Sequence, residues 1–554
     1  MTGLKTIFYN GQVVTVDSQD RVCEAIVFSG NTIAFVGSSA EALGYREAQD
    51  RVLDLQGRAV LPGFIDSHIH MSVSGLTPSQ ADSLTRENGV QCVEDILTRV
   101  RQAVQHSEPG EWSPFSAYNQ DMLDEGRHVT RQELDAAAPH NPVILNHVGG
   151  HVGVCNTQAL QEGGVFDAGS YPEEHVLRNE SGGITGVLKE SAYFQMLRHV
   201  PLEPSDTAIL DALERYAQKT ARYGITSTHD AGGFGRTTFR TLQLAYRQGR
   251  LTSRCYPMLW TMYGKEAQLE NVRTHIQAGF FTGLGDDGFK IGPLKIITDG
   301  ASCGTCATRE PFSNTGEQLD MTFTQEEIDA FVLEAHKNHF QVTAHAIGDR
   351  AVEAVVHALE AAQERYPRKD CRHRIEHCMI CPPDLTARIK AVGAIPVPNP
   401  NFIAEWGSIY TKYYGKRCEY IFPVRDYLDA GIICPFGSDA SSPPDFRPLW
   451  GIAAAMERRD LSTGEAVGMR QAVSLMEAVR CYTYYGAYAS FDEERKGSLE
   501  QGKLADLVVL SDAILGKTPE QLRSMYVAET VMDGKTTFSV DSMPSGFDPL
   551  AFEL

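Results

Sequence analysis

From about residue 60 to residue 440 the chain alternates short β-rich runs with segments of helical periodicity. This alternation constrains the fold more than any other feature, because strands joined by helical crossovers pair in parallel. Eight runs qualify as strands: 63–70, 224–230, 255–262, 294–299, 341–346, 373–378, 394–397 and 432–439. Helical segments at 206–222, 326–339 and 351–366 carry apolar residues at three-and-four spacing, so each has one face to bury against a sheet. Eight parallel strands close a barrel. The sequence therefore predicts an α/β fold, a (β/α)8 TIM barrel over residues 61–495.

The two chain ends have a different texture. Runs at 6–9, 12–16, 25–29 and 32–36 are separated by Asn10-Gly11 and Gly30-Asn31 turn signals, and runs at 506–510, 527–532 and 536–540 include an Asp533-Gly534 turn. Residues 1–60 and 496–554 are expected to complete one β-sandwich together. About 150 residues separate the first barrel run from the second, far more than one crossover helix needs. Residues 75–205 are read as an insertion over the barrel mouth.

Composition narrows the partners. With 42% hydrophobic and 22% charged residues the chain is an ordinary globular sequence, and its 554 residues suffice for an enlarged barrel. A formal charge of −21 is the wrong sign for a nucleic-acid surface. A small-molecule substrate is expected instead. The start, Met1-Thr2-Gly3-Leu4-Lys5, has no apolar core or cleavage site of a secretory leader, and no apolar stretch reaches the roughly 20 residues of a membrane span. A cytoplasmic protein with no membrane partner is expected, its 12 sparse cysteines reduced.

The chemistry gathers at strand ends. Asp66-Ser67-His68-Ile69-His70 closes an apolar run with two histidines two apart, which aims both at one face. At the C-terminal end of a barrel strand that face is the mouth, and paired imidazoles suit Zn, Fe or Ni. Lys295 lies inside the fourth run, where an uncompensated ammonium is costly, and shares its face with Asp299. His345, His377 and Asp439 each end a later run. Any one of them alone reads as a packed polar residue; together, in barrel order, they read as a metal site.

The stretch Val60-Leu61-Pro62-Gly63-Phe64-Ile65-Asp66-Ser67-His68-Ile69-His70 resembles the first-strand motif of the amidohydrolase superfamily, and 497–508 resembles its C-terminal return to the sandwich. The segments 344–351 (Ala-His-Ala-Ile-Gly-Asp-Arg-Ala), 224–230 (Gly-Ile-Thr-Ser-Thr-His-Asp) and Gly150-His151-Val152 with Asn156 resemble the branch that contains N-substituted formamide deformylases. By that resemblance His68 and His70 bind one divalent metal and His345 and His377 a second, with Zn2+ the expected ion. A carboxylated Lys295 bridges them, and Asp439 holds the water and carries its proton. One ion or two remains open at this stage.

The resemblance makes His151 a substrate or oxyanion contact and implies a homodimer. His229 and Asp230, at the end of the second run, and His147 in the insertion lie where substrate contacts gather. Asp299 is expected to orient a ligand or the substrate. The segment 299–307 departs from the branch: Thr305-Cys306-Ala307 stands where Arg-Thr-Ala is usual, removing an anion contact. Cys303 with Cys306 and Cys378 with Cys381 have the spacing of a four-thiolate zinc site, but they lie some seventy residues apart, and thiols incidental to the mouth are the better reading.

The reaction expected is hydrolysis of a non-peptide carbon–nitrogen bond by metal-activated water. Deamination of a nucleobase-like ring is the rival within the architecture, and a scaffold that kept the barrel without its chemistry is the rival of another class.

Overall fold

The first barrel strand, Phe64–Ile69, is buried along its whole length and pairs in parallel with Ile225–Asp230, which pairs in turn with Arg254–Cys255. A second parallel sheet runs Leu294–Ile297, Val342–Ala346, Arg374–His377, Ile395–Val397 in that order. Continuous burial on both faces explains why these strands read as apolar runs rather than as alternation. The computed structural model describes residues 4–76, 83–86, 88–105, 107–167, 169–200, 205–262, 264–440 and 445–551. Met1, Thr2 and Gly3 of the N-terminal segment lie outside them.

Two predicted strands depart from the ladder, both at prolines. The run at 255–262 is regular only to Cys255, because Pro257 has no N–H to donate. Beyond it, Met258 N–H reaches Asp230 O (2.7 Å) and Leu259 N–H reaches Pro293 O (2.8 Å), so this segment stitches the two sheets together bond by bond. The run at 432–439 forms no ladder strand. Pro435 interrupts it, and it holds its place through single bonds. Ser67 N–H donates to Phe436 O (3.0 Å), Asp439 N–H to His68 O (2.7 Å) and Gly437 N–H to Pro398 O (3.2 Å). It therefore lies between the first and seventh runs, and the whole is a TIM-barrel-like α/β fold.

The crossover helices Asp206–Arg222, Gln325–Lys337 and Asp349–Arg365 sit where the periodicity predicts. Ser205 caps the first by accepting from Ala208 N–H, and Thr324 with Glu327 forms a capping box on the second. Their apolar faces (Leu213, Ile328, Val332, Val355) join Leu294, Ile296, Val342 and Ala344 in the main core. Aliphatic side chains thus fill the outer face of the strands, which leaves the inner face for polar groups.

Residues 113–189 carry a sheet of their own, ordered Val176–Arg178, Ile184–Lys189, Val152–Cys155, Val143–His147, Ser113–Tyr118, over a separate core that includes Leu134, Leu145 and Val154. At the chain ends, a four-stranded and a six-stranded sheet share one apolar cluster. Phe8, Ile26 and Phe28 meet Val60, Leu507, Val509 and Val531 there. The buried Arg254–Asp506 ion pair, 2.6 Å, ties the third run to this region. Among the described residues no helix is long and apolar enough to cross a membrane.

Candidate active site

His68 is completely buried near the end of its strand, and Gly437 makes room for it. A Cβ on Gly437 would stand 2.5 Å from His68 Cβ and 2.8 Å from His68 N. Asp66, two residues earlier, accepts from the N–H groups of His68 (3.2 Å) and Ser438 (2.9 Å) and from Ser438 Oγ (2.6 Å), fastening the eighth segment to the first strand.

The outer hydrogen bonds fix which ring nitrogens face inward. His68 Nδ1 donates to Glu376 Oε2, His70 Nδ1 to Gly232 O (2.8 Å) and His377 Nδ1 to Asn399 Oδ1 (2.7 Å), whereas His345 uses Nε2, to Gly300 O (3.0 Å). A neutral imidazole carries one proton, so the inward lone pairs are Nε2 of His68, His70 and His377 and Nδ1 of His345. The rings adjoin: centroids lie 4.8 Å apart for His68 and His377, and 4.6 Å for His345 and His377. Asp439 Oδ1 lies 3.5 Å from both His68 Nε2 and His70 Nε2, and these three residues can hold a metal ion. Lys295 Nζ is 3.4 Å from His68 Nε2.

Electrostatics favour neutral ligands. Burial, with the nearby Lys295 charge, lowers His70 to about 3 and holds His68 well below the ordinary histidine range. Burial also lowers Lys295 to about 8 against the pull of Glu376 and Asp439, and raises Asp439 to about 7 against Lys295 and His151.

Backbone strain marks the same place. His377 and Asp439 have φ of +66° and +55°, a left-handed conformation that non-glycine residues rarely adopt. In an ideal strand the consecutive residues Glu376 and His377 would face opposite ways. The turn at His377 ends that alternation, and both approach His68, one by hydrogen bond and one by ring contact.

The remaining expected residues fall into two groups. His151 stands at the start of Val152–Cys155 with its ring 5.2 Å from His345. Its Nδ1 pairs with Glu190 Oε2 at 2.9 Å. Burial works against charge on His151, but Glu190, with Asp299 and Asp439 behind it, raises it on balance. His147, lowered to about 3 by burial, accepts Gly149 N–H at Nδ1. The other group is hydrogen-bonded to neighbouring strands and turns. His229 Nδ1 accepts from Arg374, Asp230 accepts the N–H groups of Met71 and Gly232, and Asp299 accepts those of Ile347, Gly348 and Ala307. Asp299 thereby braces the turn that follows His345.

Sequence reasoning missed Glu376, Arg374, Asn399 and Glu190. Arg374 and Glu376 form a fully buried ion pair of 2.7 Å, and two opposite charges two apart in an apolar strand were a usable sign of it. Asn399 and Glu190 had no such signal. The cysteine pairs go separate ways: Cys306 contacts Tyr414 Oη and Cys378 contacts Tyr427 Oη, each at 3.2 Å, and all four thiols are free. Cys306, Cys378 and Cys381 are buried in apolar packing.

A barrel-like α/β fold that turns imidazole lone pairs and a carboxylate toward one point at its strand ends places the chain among the hydrolases of this architecture. More narrowly, it belongs to the amidohydrolase family, whose model matches residues 51–538. It is 29% identical to the N-substituted formamide deformylase of Arthrobacter pascens, across 95% of this chain and 96% of that protein. It is 26% identical to Protein LONG AFTER FAR-RED 3 of Arabidopsis thaliana, across 91% and 86%. The crystal structure of an uncharacterized metal-dependent hydrolase from Pyrococcus furiosus superposes with a TM-score of 0.69 at 24% identity, covering 93% of this chain and 99% of that one.

Proposed function

We propose that the protein is a metal-dependent amidohydrolase that cleaves a non-peptide carbon–nitrogen bond of a small molecule, with an N-substituted formamide as the nearest substrate class. The observation that carries this reading is the convergence of His68 Nε2, His70 Nε2 and Asp439 Oδ1, with the lone pairs of His345 and His377 beside them. The formamide deformylase relative supports the substrate class.

His68 and His70 would hold one ion and His345 and His377 a second, with Zn2+ suited to this imidazole-rich set. Lys295, carboxylated, would be the ligand shared by the two pairs, a carbamate anion in place of an ammonium that two cations would repel. Bound there, a divalent ion would supply the charge that makes water nucleophilic near neutral pH and polarises a carbonyl. Asp439 takes the proton from the attacking water and returns it to the leaving amine. His151 contacts the substrate oxygen, His229 and Asp230 are further substrate contacts at the end of the second strand, and Asp299 orients a ligand or the substrate. The framework in this reading is a closed (β/α)8 barrel, a β-sandwich from residues 1–60 and 496–554, and a cover over the mouth from residues 75–205.

Chelator-treated protein, assayed for amine, carboxylate and ammonia release on a panel of N-substituted formamides, acetamides and cyclic amidines before and after Zn2+, Co2+ or Mn2+ is returned, tests the reading. Release that depends on added metal is expected. Ammonia from cyclic amidines without amide cleavage would replace it with the deaminase reading, and inactivity with no metal uptake would leave the scaffold.

A further inference from the structure

Glu190 lies outside the barrel strands, yet it is built into the site. It follows Ile184–Lys189, whose pairing with Val152–Cys155 sets Lys189 opposite Val152. One step further along, Glu190 N–H donates to His151 O (2.8 Å), so the same pair of residues meets through backbone and side chain alike. Glu190 has φ of +46°, a left-handed conformation, at the first residue of the helix Glu190–Leu197.

Glu190 is 6% exposed, and its carboxylate accepts one hydrogen bond among the described residues. Oε2 takes the Nδ1 edge of His151, while the buried Oε1 has no hydrogen-bond partner among the described residues. A folded chain rarely keeps half a buried carboxylate unsatisfied without a use for the other half. Room is made for it as well: a Cβ on Gly300 would stand 2.4 Å from Glu190 Oε1, and Gly300 O is the acceptor that orients His345. Phe194 packs edge-on against the His151 ring at 5.4 Å.

We propose that Glu190 is the positioning residue of the hydrolytic site, holding the Nδ1 edge of His151 so that Nε2 is presented where the substrate carbonyl sits beside His345 and Asp439. The proposal rests on the hydrolase reading above. Glu190 acts through His151 and touches no reacting atom; the strained backbone, the glycine opposite and the single-partner carboxylate all serve that one contact.

The test uses the full-length, metal-loaded protein with Glu190→Gln, Glu190→Asp, His151→Gln and the Glu190→Gln/His151→Gln double variant. Expected are unchanged metal content and thermal midpoint for Glu190→Gln, KM within about threefold, kcat lowered on the order of 10- to 100-fold, partial recovery with Glu190→Asp, and a double variant no slower than His151→Gln alone. Imidazole 15N NMR, with the His151 signals assigned by their loss in His151→Gln, is expected to show a protonated, hydrogen-bonded Nδ1 that changes in Glu190→Gln. Wild-type kcat in Glu190→Gln, or losses that simply multiply in the double variant, would overturn the proposal. If the wild-type protein neither holds metal nor turns over any amide, the hydrolase reading fails by itself. The NMR result then decides alone whether the pair exists, and an unchanged His151 signal in Glu190→Gln removes it.

Discussion

Two groups of buried histidines sit at opposite ends of the same barrel strands, and their hydrogen bonds run in opposite senses. At the C-terminal ends each of His68, His70, His345 and His377 gives its proton outward, to a carboxylate, an amide or a backbone carbonyl. Before the sixth strand, His373 accepts Val342 N–H at Nδ1 (2.9 Å), His373 Nε2–H donates to His336 Nδ1 (2.8 Å), and His336 Nε2–H donates to Tyr366 O (2.6 Å). Cys371 lies close enough to complete a third ligand there, and a cavity of ≈ 230 Å³ opens beside it. At both ends three candidate ligand atoms lie within reach of one ion. The lone pairs differ: a metal on His373 Nε2 would have to displace that ring's only proton, whereas the other group already presents unprotonated nitrogens. The direction of the outer hydrogen bonds, more than the number of histidines, makes a metal centre.

The largest test of that contrast is in turnover. Replacing His68 and His70 together by Ala is expected to lower kcat/KM by about 1,000-fold or more, since the charge that activates water is lost, while His336→Gln with His373→Gln stays near wild type. Equal losses in steady-state assays would erase the distinction.

Glu376→Gln keeps shape but weakens the acceptor that holds His68, and metal affinity measured by chelator competition is expected to fall about 10- to 100-fold. A change confined to thermal stability would mean that Glu376 only pairs with Arg374.

Glycines sharpen the comparison. Gly437→Ala forces a Cβ against the His68 backbone and is expected to cost about 1–3 kcal/mol in denaturant unfolding and to loosen the metal. Gly393→Ala, beside the other histidines, meets open space; its φ of +71° leaves only a conformational cost of about 1 kcal/mol.

The smallest effect is in pH. Burial lowers both His336 and His373 below the ordinary value of 6.5. With the folded value below the unfolded one, the unfolded chain binds more protons as pH falls through 6.5, so these rings contribute stability above that pH and lose it on acidification. Unfolding free energy measured from pH 7.5 to 5 is expected to fall less steeply for His336→Gln/His373→Gln than for wild type. Parallel curves would show that the pair is not held neutral.

Much of this was legible in the sequence where the information is local. Period-two spacing in His68-Ile69-His70 and the apolar runs before Lys295, His345 and His377 locate the strand ends, because side-chain direction in a strand follows from chain position. The eighth run was readable as extended but not as ladder-free, since Pro435 lets it bond only one group at a time. The sheet within residues 113–189 was hidden, its strands being brief and set among turns. Hardest to read were Glu376, Asn399 and Glu190. Which acceptor a histidine finds depends on elements far away in the chain, as with His68 and Glu376, 308 residues apart. Even the direction of His377 depends on a backbone turn that no residue type announces.

The most direct measurement is metal content per chain by elemental analysis, made on wild type, His68→Ala/His70→Ala and His336→Gln/His373→Gln proteins purified without added metal and again after reconstitution. One to two equivalents of a divalent ion in the wild type and in the His336/His373 variant, falling sharply in the His68/His70 variant, is the expected result. Metal that survives loss of His68 and His70 but leaves with His336 and His373 would contradict it, and would move the metal centre to the opposite end of the barrel.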